Sequence, residues 1–191
     1  MGAAGTIARL RPLLLDLEDA AALEPPGVTE SAVLVPLTVV DDEVRVVFTR
    51  RRDDLRRHAG EFSFPGGRRD PGEANLIETA LRETEEEVGI DRSLIELIGA
   101  LQPTATIATD FSIHPFVGVV PAGAARVAEP AEVAEVIEVP LGELVASRER
   151  RRLTRRDLAF HTTVYPVGDR VIWGATARIL DDLVDRLGVE G

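Results

Sequence analysis

The sequence predicts an α/β fold in which a central mixed β-sheet is covered by helices. The chain has 191 residues, 45% of them apolar, which is enough to bury one core without disulfides. Short Val-rich segments occur in hairpin-like pairs and are separated by two helical patterns. Because neighbouring strands are often joined by short turns, a mixed sheet fits better than a regular βαβ array.

The first half of the chain supplies a hairpin and the longer of these helical patterns. We expect a short helix over 7–16, capped by Thr6, and strands over 33–40 and 44–49 joined by a turn at 41–43. Residues 73–88 contain neither Gly nor Pro, which predicts a helix that ends at Gly89.

The second half contains further strands and a closing helix. We expect strands over 94–101, 113–120 and 133–139, then a short helix over 141–146 that Pro140 opens. A charged loop over 148–156 precedes a hairpin of 158–165 and 170–172, and an amphipathic helix over 175–187 closes the chain. The expected organisation is an N-terminal helix and linker over 1–30 and a single domain over 31–191.

Composition excludes several classes of protein. There is no cysteine, and therefore no disulfide, thiolate metal site or Cys nucleophile. The net charge of −11 argues against general nucleic-acid binding. The longest mostly apolar run, 32–40, is too short to span a membrane, and the N-terminus lacks a secretory signal, so we expect a cytoplasmic protein.

The 22 basic residues are all arginine, and they are unevenly placed. Five lie in 50–57 and six in 148–156. Guanidinium groups pair well with phosphate, so either cluster could bind an anion. For the second cluster a solvated loop is the simpler interpretation.

Three glutamates lie at i, i+3 and i+4 in the predicted helix 73–88. At about 100° per residue, Glu83, Glu86 and Glu87 share one arc beside an apolar stripe. Like charges at this spacing destabilise a helix, and a divalent cation removes that cost. Oxygen ligands alone indicate Mg²⁺ or Mn²⁺, with Ca²⁺ as an alternative, although a solvated acidic face is also open. The preceding Gly66 and Gly67 allow close backbone approach to a phosphate.

The stretch 67–90 resembles the Nudix box, whose second half reads Arg-Glu-U-x-Glu-Glu-x-Gly-U, with U a bulky apolar residue. Arg82, Glu83, Glu86, Glu87, Gly89 and Ile90 match it, and Thr84 stands at the first U position. The box glutamate and first glycine have counterparts one residue early, at Glu73 and Gly67. The resemblance implies a Nudix-type α/β/α sandwich with a central mixed sheet.

The segment before the box is similar to the signature of the coenzyme A pyrophosphatase branch, which shares the one-residue shift. The matching residues are Thr49, Arg51, Leu55, Arg56, His58, Gly60, Glu61, Phe64, Pro65, Gly66 and Gly67. Residues 171–177 also resemble the branch's Ile-Trp-Gly-x-Thr-Ala motif, although core packing or a place at the start of the helix is the better explanation for Trp173. A surface-loop histidine is the simpler alternative for His58.

The branch resemblance implies metal-dependent hydrolysis of coenzyme A or acyl-CoA to 4′-phosphopantetheine and adenosine 3′,5′-bisphosphate. Mg²⁺ or Mn²⁺ would be bound by Glu83, Glu86 and Glu87, with Glu61 as a further ligand, and Arg82 would orient Glu83.

The same resemblance implies substrate contacts at Gly66, Gly67 and the basic residues Arg51, Arg56 and His58. The general base stays open between Glu83 and a loop acid, Glu132 or Glu135. The expected partner is a small coenzyme A-like nucleotide, with no nucleic acid and no membrane, and a homodimer stays possible. A Nudix pyrophosphatase for ADP-ribose or another nucleotide, and a non-catalytic nucleotide-binding module, are the alternatives.

Overall fold

The structure is a computed structural model that describes residues 2–24, 29–54, 59–106, 110–155 and 158–188. Its helices are α1 (Ala3–Leu10), α2 (Leu17–Ala21), α3 (Leu76–Val88), α4 (Leu141–Ser147) and α5 (Gly174–Arg186). Its strands are β1 (Thr29–Val40), β2 (Glu43–Arg51), β3 (Phe62–Ser63), β4 (Gly66–Arg68), β5 (Glu96–Ala100), β6 (Thr104–Ala105), β7 (Phe111–Val119), β8 (Val133–Pro140), β9 (Glu149–Arg155), β10 (Leu158–Val167) and β11 (Arg170–Ile172). The order of elements confirms the expected α/β class.

The long strand β1 is the centre of a mixed sheet. On one side it runs parallel to β7. On the other side its C-terminal half pairs with β2 and its N-terminal part with β4, both antiparallel. Strands β3 and β8 extend the sheet beyond β2, while β5 and β6 pair with β7. The predicted hairpin at 41–43 is confirmed, and the short strands β3, β4 and β6 are additions that the sequence pattern did not indicate.

Alternate residues of β1 face two separate hydrophobic clusters, because successive strand side chains point to opposite sides of a sheet. Val35 and Leu37 pack in one cluster with residues of α1, α4 and α5. Ala32 and Leu34 pack in the other with residues of α2 and α3. The sheet is therefore sandwiched between two helical layers, which confirms the expected α/β/α arrangement.

The N-terminal helix differs from the prediction of 7–16 capped by Thr6. Helix α1 begins after Gly2, and Thr6 lies inside it. Pro12 falls in a 3₁₀ turn, Arg11–Leu13, because proline cannot continue the backbone ladder of an α-helix. Asp16 does not end a helix but caps α2, accepting hydrogen bonds from two backbone N–H groups.

The predicted charged loop over 148–156 is wrong. Residues Glu149–Arg155 form strand β9, which pairs antiparallel with β10 from Glu149 opposite Val164 to Arg155 opposite Leu158. Cross-strand pairing with an apolar-rich partner strand outweighs the weak β-propensity of the arginines. With β11, these strands form a second sheet, and the predicted turn at Gly168–Asp169 is confirmed by the pairing of Val167 with Arg170.

A polar contact fixes this second sheet to the closing helix. The buried Tyr165 hydroxyl of β10 donates to Asp181 Oδ1 of α5 at 2.7 Å, and Arg148 Nε lies 3.0 Å from the same oxygen. Burial, followed by the Asp181 carboxylate, raises the pKa of Tyr165 far above its ordinary value. None of the helices in the described part of the chain is long and apolar enough to cross a membrane.

Candidate functional site

Helix α3 carries the acidic residues of the site. It begins at Leu76 and not at residue 73, because Asn75 caps it by accepting the Glu78 N–H at 3.0 Å. Gly89 ends it in the left-handed conformation, with φ of 65°, as predicted. Residues 73–75 are therefore a turn before the helix, and Glu73 is free to fold back toward it.

Glu87 is largely buried, with 8% of its surface exposed. Its Oε2 accepts the Gly66 backbone N–H at 3.3 Å. The pKa of Glu87 is raised to about 7: burial, which disfavours the charged form, is the largest cause, Glu83 and Glu132 add to the rise, and the Gly66 N–H and Arg51 oppose it. Glu83, Arg51 and Glu132 are thus close enough to act electrostatically on this carboxylate.

Gly66 and Gly67 bring the backbone of β4 against β1 and α3. Gly66 pairs with Val33, and a Cβ at Gly66 would overlap the Ala32 carbonyl. A Cβ at Gly67 would overlap the Glu83 carboxylate. Because Gly67 has no side chain, the Glu83 carboxylate can lie beside the backbone of β4.

Arg82 connects the carboxylates of the site. Its Nε donates to Glu73 Oε1 at 2.8 Å, and its Nη1 donates to Glu83 Oε1 and Glu86 Oε2, both at 3.0 Å. Burial raises the pKa of Glu83, and the adjacent Arg82 opposes that rise. Glu86 differs from its two partners in that most of its side chain is exposed.

Sequence reasoning missed the full environment of Glu73. Burial alone would raise its pKa, but hydrogen bonds from Arg82, from the Thr79 hydroxyl at 2.6 Å and from the Asp70 N–H at 2.8 Å lower it to about 2. Thr79 lies three residues before Arg82, so both side chains are on the same side of the helix. This spacing is the signal that could have identified Thr79 as a second partner of Glu73.

The upstream arginine cluster contributes Arg51 and Arg50 at the edge of β2. Arg51 Nη2 lies 3.2 Å from Glu132 Oε2, and Arg50 Nε lies 2.8 Å from Glu135 Oε1. Both candidate loop bases are therefore paired with arginine in this structure. The predicted substrate residues Arg56 and His58 lie outside the described residues.

Glu61, the fourth predicted metal ligand, lies just before β3. Its backbone carbonyl accepts the Arg51 N–H at 3.1 Å, which places it on the segment that leads to Gly66.

The donor chemistry of the site fits a hard divalent cation. Glu83, Glu86 and Glu87 supply oxygen ligands only, and Gly67 leaves room beside Glu83. In the described parts of the chain, no three acidic or histidine side chains lie close enough together to bind one metal ion. Arg82 instead holds Glu83 and Glu86, so the predicted ligands share one region without forming a completed ligand set.

A cleft of about 530 Å³ opens beside this region. It is lined by Thr29, Glu30 and residues 68–73, which include Asp70 and Glu73. The cleft therefore lies next to Arg82 and its carboxylates, where a small molecule can approach from solvent.

Comparison with known proteins agrees with the fold. The NUDIX domain family model matches residues 29–160. Proteins named "Uncharacterized Nudix hydrolase NudL" from Yersinia pestis (strain Pestoides F) and Yersinia pseudotuberculosis (strain IP 31758) are each 37% identical over 161 residues, covering 83% of this chain and 80% of theirs.

Among solved structures, the NUDIX domain of Shewanella oneidensis NrtR complexed with ADP ribose superposes with a TM-score of 0.58 at 16% identity, covering 89% of this chain and 97% of that chain. A C. elegans Ap4A hydrolase superposes with a TM-score of 0.51 at 18% identity, covering 62% of this chain and 85% of that chain. These structural likenesses show a shared fold. The family match and the 37% identity to NudL proteins establish that this chain belongs to the Nudix hydrolase family.

Proposed function

We propose that this Nudix hydrolase cleaves the diphosphate of coenzyme A or an acyl-CoA in the cytoplasm, releasing 4′-phosphopantetheine and adenosine 3′,5′-bisphosphate. The observation that carries the proposal is the packing of the α3 carboxylates against the two glycines of β4: Glu87 accepts the Gly66 N–H, and Glu83 fills the space that Gly67 leaves. This arrangement puts carboxylate oxygens beside the partly buried backbone of β4, where a metal ion that also contacts phosphate could be held.

Glu83, Glu86 and Glu87, with Glu61 as a further ligand, are the residues that would hold Mg²⁺ or Mn²⁺. A divalent ion held by these residues would supply positive charge to neutralise diphosphate oxygens and would make a water molecule more acidic. Arg82 positions Glu83 and Glu86 through the two 3.0 Å hydrogen bonds from Nη1. Glu73 in turn fixes Arg82 from the other side.

The reaction needs a base for the attacking water. In our proposal a carboxylate accepts a proton from a water molecule. The oxygen of that water attacks one phosphorus, and the P–O bond that joins this phosphorus to the other phosphate breaks. Glu83 lies on the helix, and Glu132 is held by Arg51 at the edge of the same site. Both have a carboxylate within the electrostatic environment of Glu87, so both are candidates for this role.

Support for coenzyme A as the substrate comes from the upstream segment. Arg51, whose charge acts on Glu87, matches the coenzyme A pyrophosphatase signature, as do Arg56 and His58 in sequence. Guanidinium groups at this position can pair with phosphate oxygens that the metal site leaves uncovered. ADP-ribose is the second candidate, because the Shewanella oneidensis domain of the same fold was solved with that ligand.

The test is a substrate panel. The purified protein and Mg²⁺ are incubated with one substrate at a time: coenzyme A, ADP-ribose, NADH or a deoxynucleoside triphosphate. The products are separated by chromatography. We expect the highest kcat/KM for coenzyme A. Cleavage of ADP-ribose with coenzyme A left intact would overturn the substrate assignment. Tight binding of a nucleotide with no product would instead favour a binding module.

A further inference from the structure

Arg178 of α5 is a half-buried guanidinium whose hydrogen bonds go to neutral oxygens. Its Nε donates to Thr104 Oγ1 at 3.1 Å and its Nη2 donates to the Ala105 carbonyl at 2.6 Å, both on β6. A guanidinium has five N–H donors, so three remain without an acceptor among the described residues. Burial lowers the pKa of Arg178.

This lack of a counter-ion is unexpected, because carboxylates are available on the same helix. Asp181 and Asp182 lie three and four residues after Arg178, the spacing at which helical ion pairs form. Asp181 instead binds Tyr165 and Arg148. Asp182 accepts the Gln102 N–H at 2.7 Å and pairs with Arg186 at 2.9 Å. Among the described residues, Arg178 thus has no carboxylate partner for its positive charge, which is costly in a half-buried position.

The sheet register relates Thr104, which Arg178 contacts, to strand β4 of the candidate active site, although α5 and α3 lie on opposite faces of the sheet. Thr104 pairs with Ile113 of β7, Ile113 with Ser31 of β1, and Ser31 with Arg68 of β4. Three interstrand steps of about 4.8 Å separate Thr104 from the β4 backbone, roughly 14 Å in total. Helix α5 also begins beside the same region, since the Thr176 hydroxyl donates to the Phe62 carbonyl at 3.2 Å.

We propose that Arg178 forms an anion subsite that binds a phosphate monoester on the nucleoside end of the substrate, remote from the diphosphate that is cleaved. The proposal rests on the proposed function, in which the substrate carries such a second phosphate. A phosphate dianion supplies the counter-charge that Arg178 lacks, and the unused N–H groups supply its hydrogen bonds. Arg178 is then a specificity-determining residue that separates substrates with the monoester from those without it.

The first experiment measures binding without catalysis. Calorimetry with adenosine 3′,5′-bisphosphate and with adenosine 5′-monophosphate, in the absence of metal, isolates the contribution of the second phosphate. The wild-type protein should bind the bisphosphate at least about tenfold more tightly, and Arg178→Gln should remove most of this preference. Arg178→Lys should keep part of it. Equal affinity of the wild type for both nucleotides, or equal loss for both in Arg178→Gln, would overturn the proposal.

Matched variants separate charge from packing. Asp182→Asn weakens a neighbouring contact between α5 and residue 102, and Thr104→Val removes one acceptor of Arg178 while leaving its charge. In both variants the affinity ratio between the bisphosphate and the monophosphate should stay within about a factor of three of the wild-type ratio. This is well below the tenfold change expected when the Arg178 charge is lost. If either abolishes the preference as fully as Arg178→Gln does, Arg178 is a structural contact and the subsite is wrong. If Arg178→Gln does not fold, Arg178→Lys takes its place: it should keep only part of the bisphosphate preference, and an unchanged preference would overturn the proposal.

Turnover then distinguishes failure of the subsite from failure of the proposed function. With coenzyme A, Arg178→Gln should raise KM about tenfold and change kcat little, and with 3′-dephospho-coenzyme A both constants should stay near the wild-type values. An equal rise of KM for both substrates counts against the subsite. A wild-type protein that cleaves neither compound but prefers the bisphosphate would overturn the proposed substrate while supporting the subsite.

Discussion

Arg82 and Glu73 form an ion pair, Nε to Oε1 at 2.8 Å, between helix α3 and the turn that precedes it. Both side chains are largely shielded from solvent, with exposed fractions of 20% and 12%. The remaining guanidinium nitrogens of Arg82 reach Glu83, Glu86 and the Arg68 carbonyl. This pair therefore ties the turn, the helix and strand β4 to one another at the candidate metal site.

We expect Glu73→Gln to destabilise the protein by about 2 kcal/mol at neutral pH, because a charge-assisted hydrogen bond is lost and Arg82 loses a partner. The pKa of Glu73 is lowered to about 2 from an ordinary value of 4.5. Its contribution is therefore fully present above about pH 4.5 and is lost as the pH falls toward 2.

Denaturant unfolding at neutral and acid pH checks this expectation. The stability difference between wild type and Glu73→Gln should shrink as the pH falls through that window. Glu85→Gln is the matched control, because Glu85 forms a solvent-exposed pair with Arg92 and should cost less than about 1 kcal/mol. A pH-independent difference for Glu73→Gln would contradict the assignment.

Glu87→Gln should lower kcat/KM by about two to three orders of magnitude, because it removes a charged oxygen ligand from the proposed metal site. The fold should persist, since an amide oxygen can still accept the Gly66 N–H. Steady-state kinetics at saturating Mg²⁺ and a thermal melt measure the two effects. Near-wild-type turnover would remove Glu87 from the metal site, and Glu85→Gln again serves as the exposed control.

Gly67→Ala should reduce kcat/KM by at least about tenfold, because the added methyl group would displace the Glu83 carboxylate from beside β4. The loss of stability should be about 1 to 2 kcal/mol, since a side chain can move more easily than backbone. Kinetics and denaturant unfolding measure the two effects. Gly142→Ala is the control: it meets open space in α4 and should leave turnover unchanged with stability equal or slightly higher. Full activity of Gly67→Ala would contradict the role assigned to this glycine.

His114 should make folding stability sensitive to mild acid. It is buried in β7, where its Nδ1 lies 3.3 Å from the Ala20 carbonyl and its Nε2 lies 3.3 Å from Ser112 Oγ. Burial lowers its pKa below the ordinary 6.5, and the Ala20 carbonyl and Glu30 oppose the shift. The unfolded chain therefore takes up the proton first, and the stabilising contribution present above pH 6.5 is lost as the pH falls below it.

The slope from this one group is at most about 1.4 kcal/mol per pH unit. Denaturant unfolding of the wild type and His114→Gln between about pH 7.5 and about pH 5.5 measures it. The variant should show a flatter dependence on pH over this interval. Parallel curves for the two proteins would show that other groups cause the acid sensitivity.

Sequence patterns predicted best the helix ends that are fixed by residues close to them in sequence. Asn75 and Gly89 are close in sequence to the groups they cap, so the end of α3 was predicted and its start was misplaced by only three residues. The arginine-rich segment was misassigned because its composition is typical of a solvated loop, whereas its backbone pairs with β10, the next strand in the chain. Strands β3, β4 and β6 were not foreseen because each has only two or three residues, too few to show an alternating pattern, and each is defined by its pairing with a longer strand.

The sequence by itself determined the α/β class and the spacing that puts Glu83, Glu86 and Glu87 on one side of a helix, because helical periodicity is a local property. Only the tertiary structure decided what surrounds each of them: Glu87 is buried against Gly66, Glu83 lies beside Gly67, and Glu86 stays exposed. It also left Arg178 without a carboxylate partner among the described residues, although two carboxylates lie at helical spacing. Burial and charge pairing depend on contacts between distant segments, and these form only when the sheet brings the segments together.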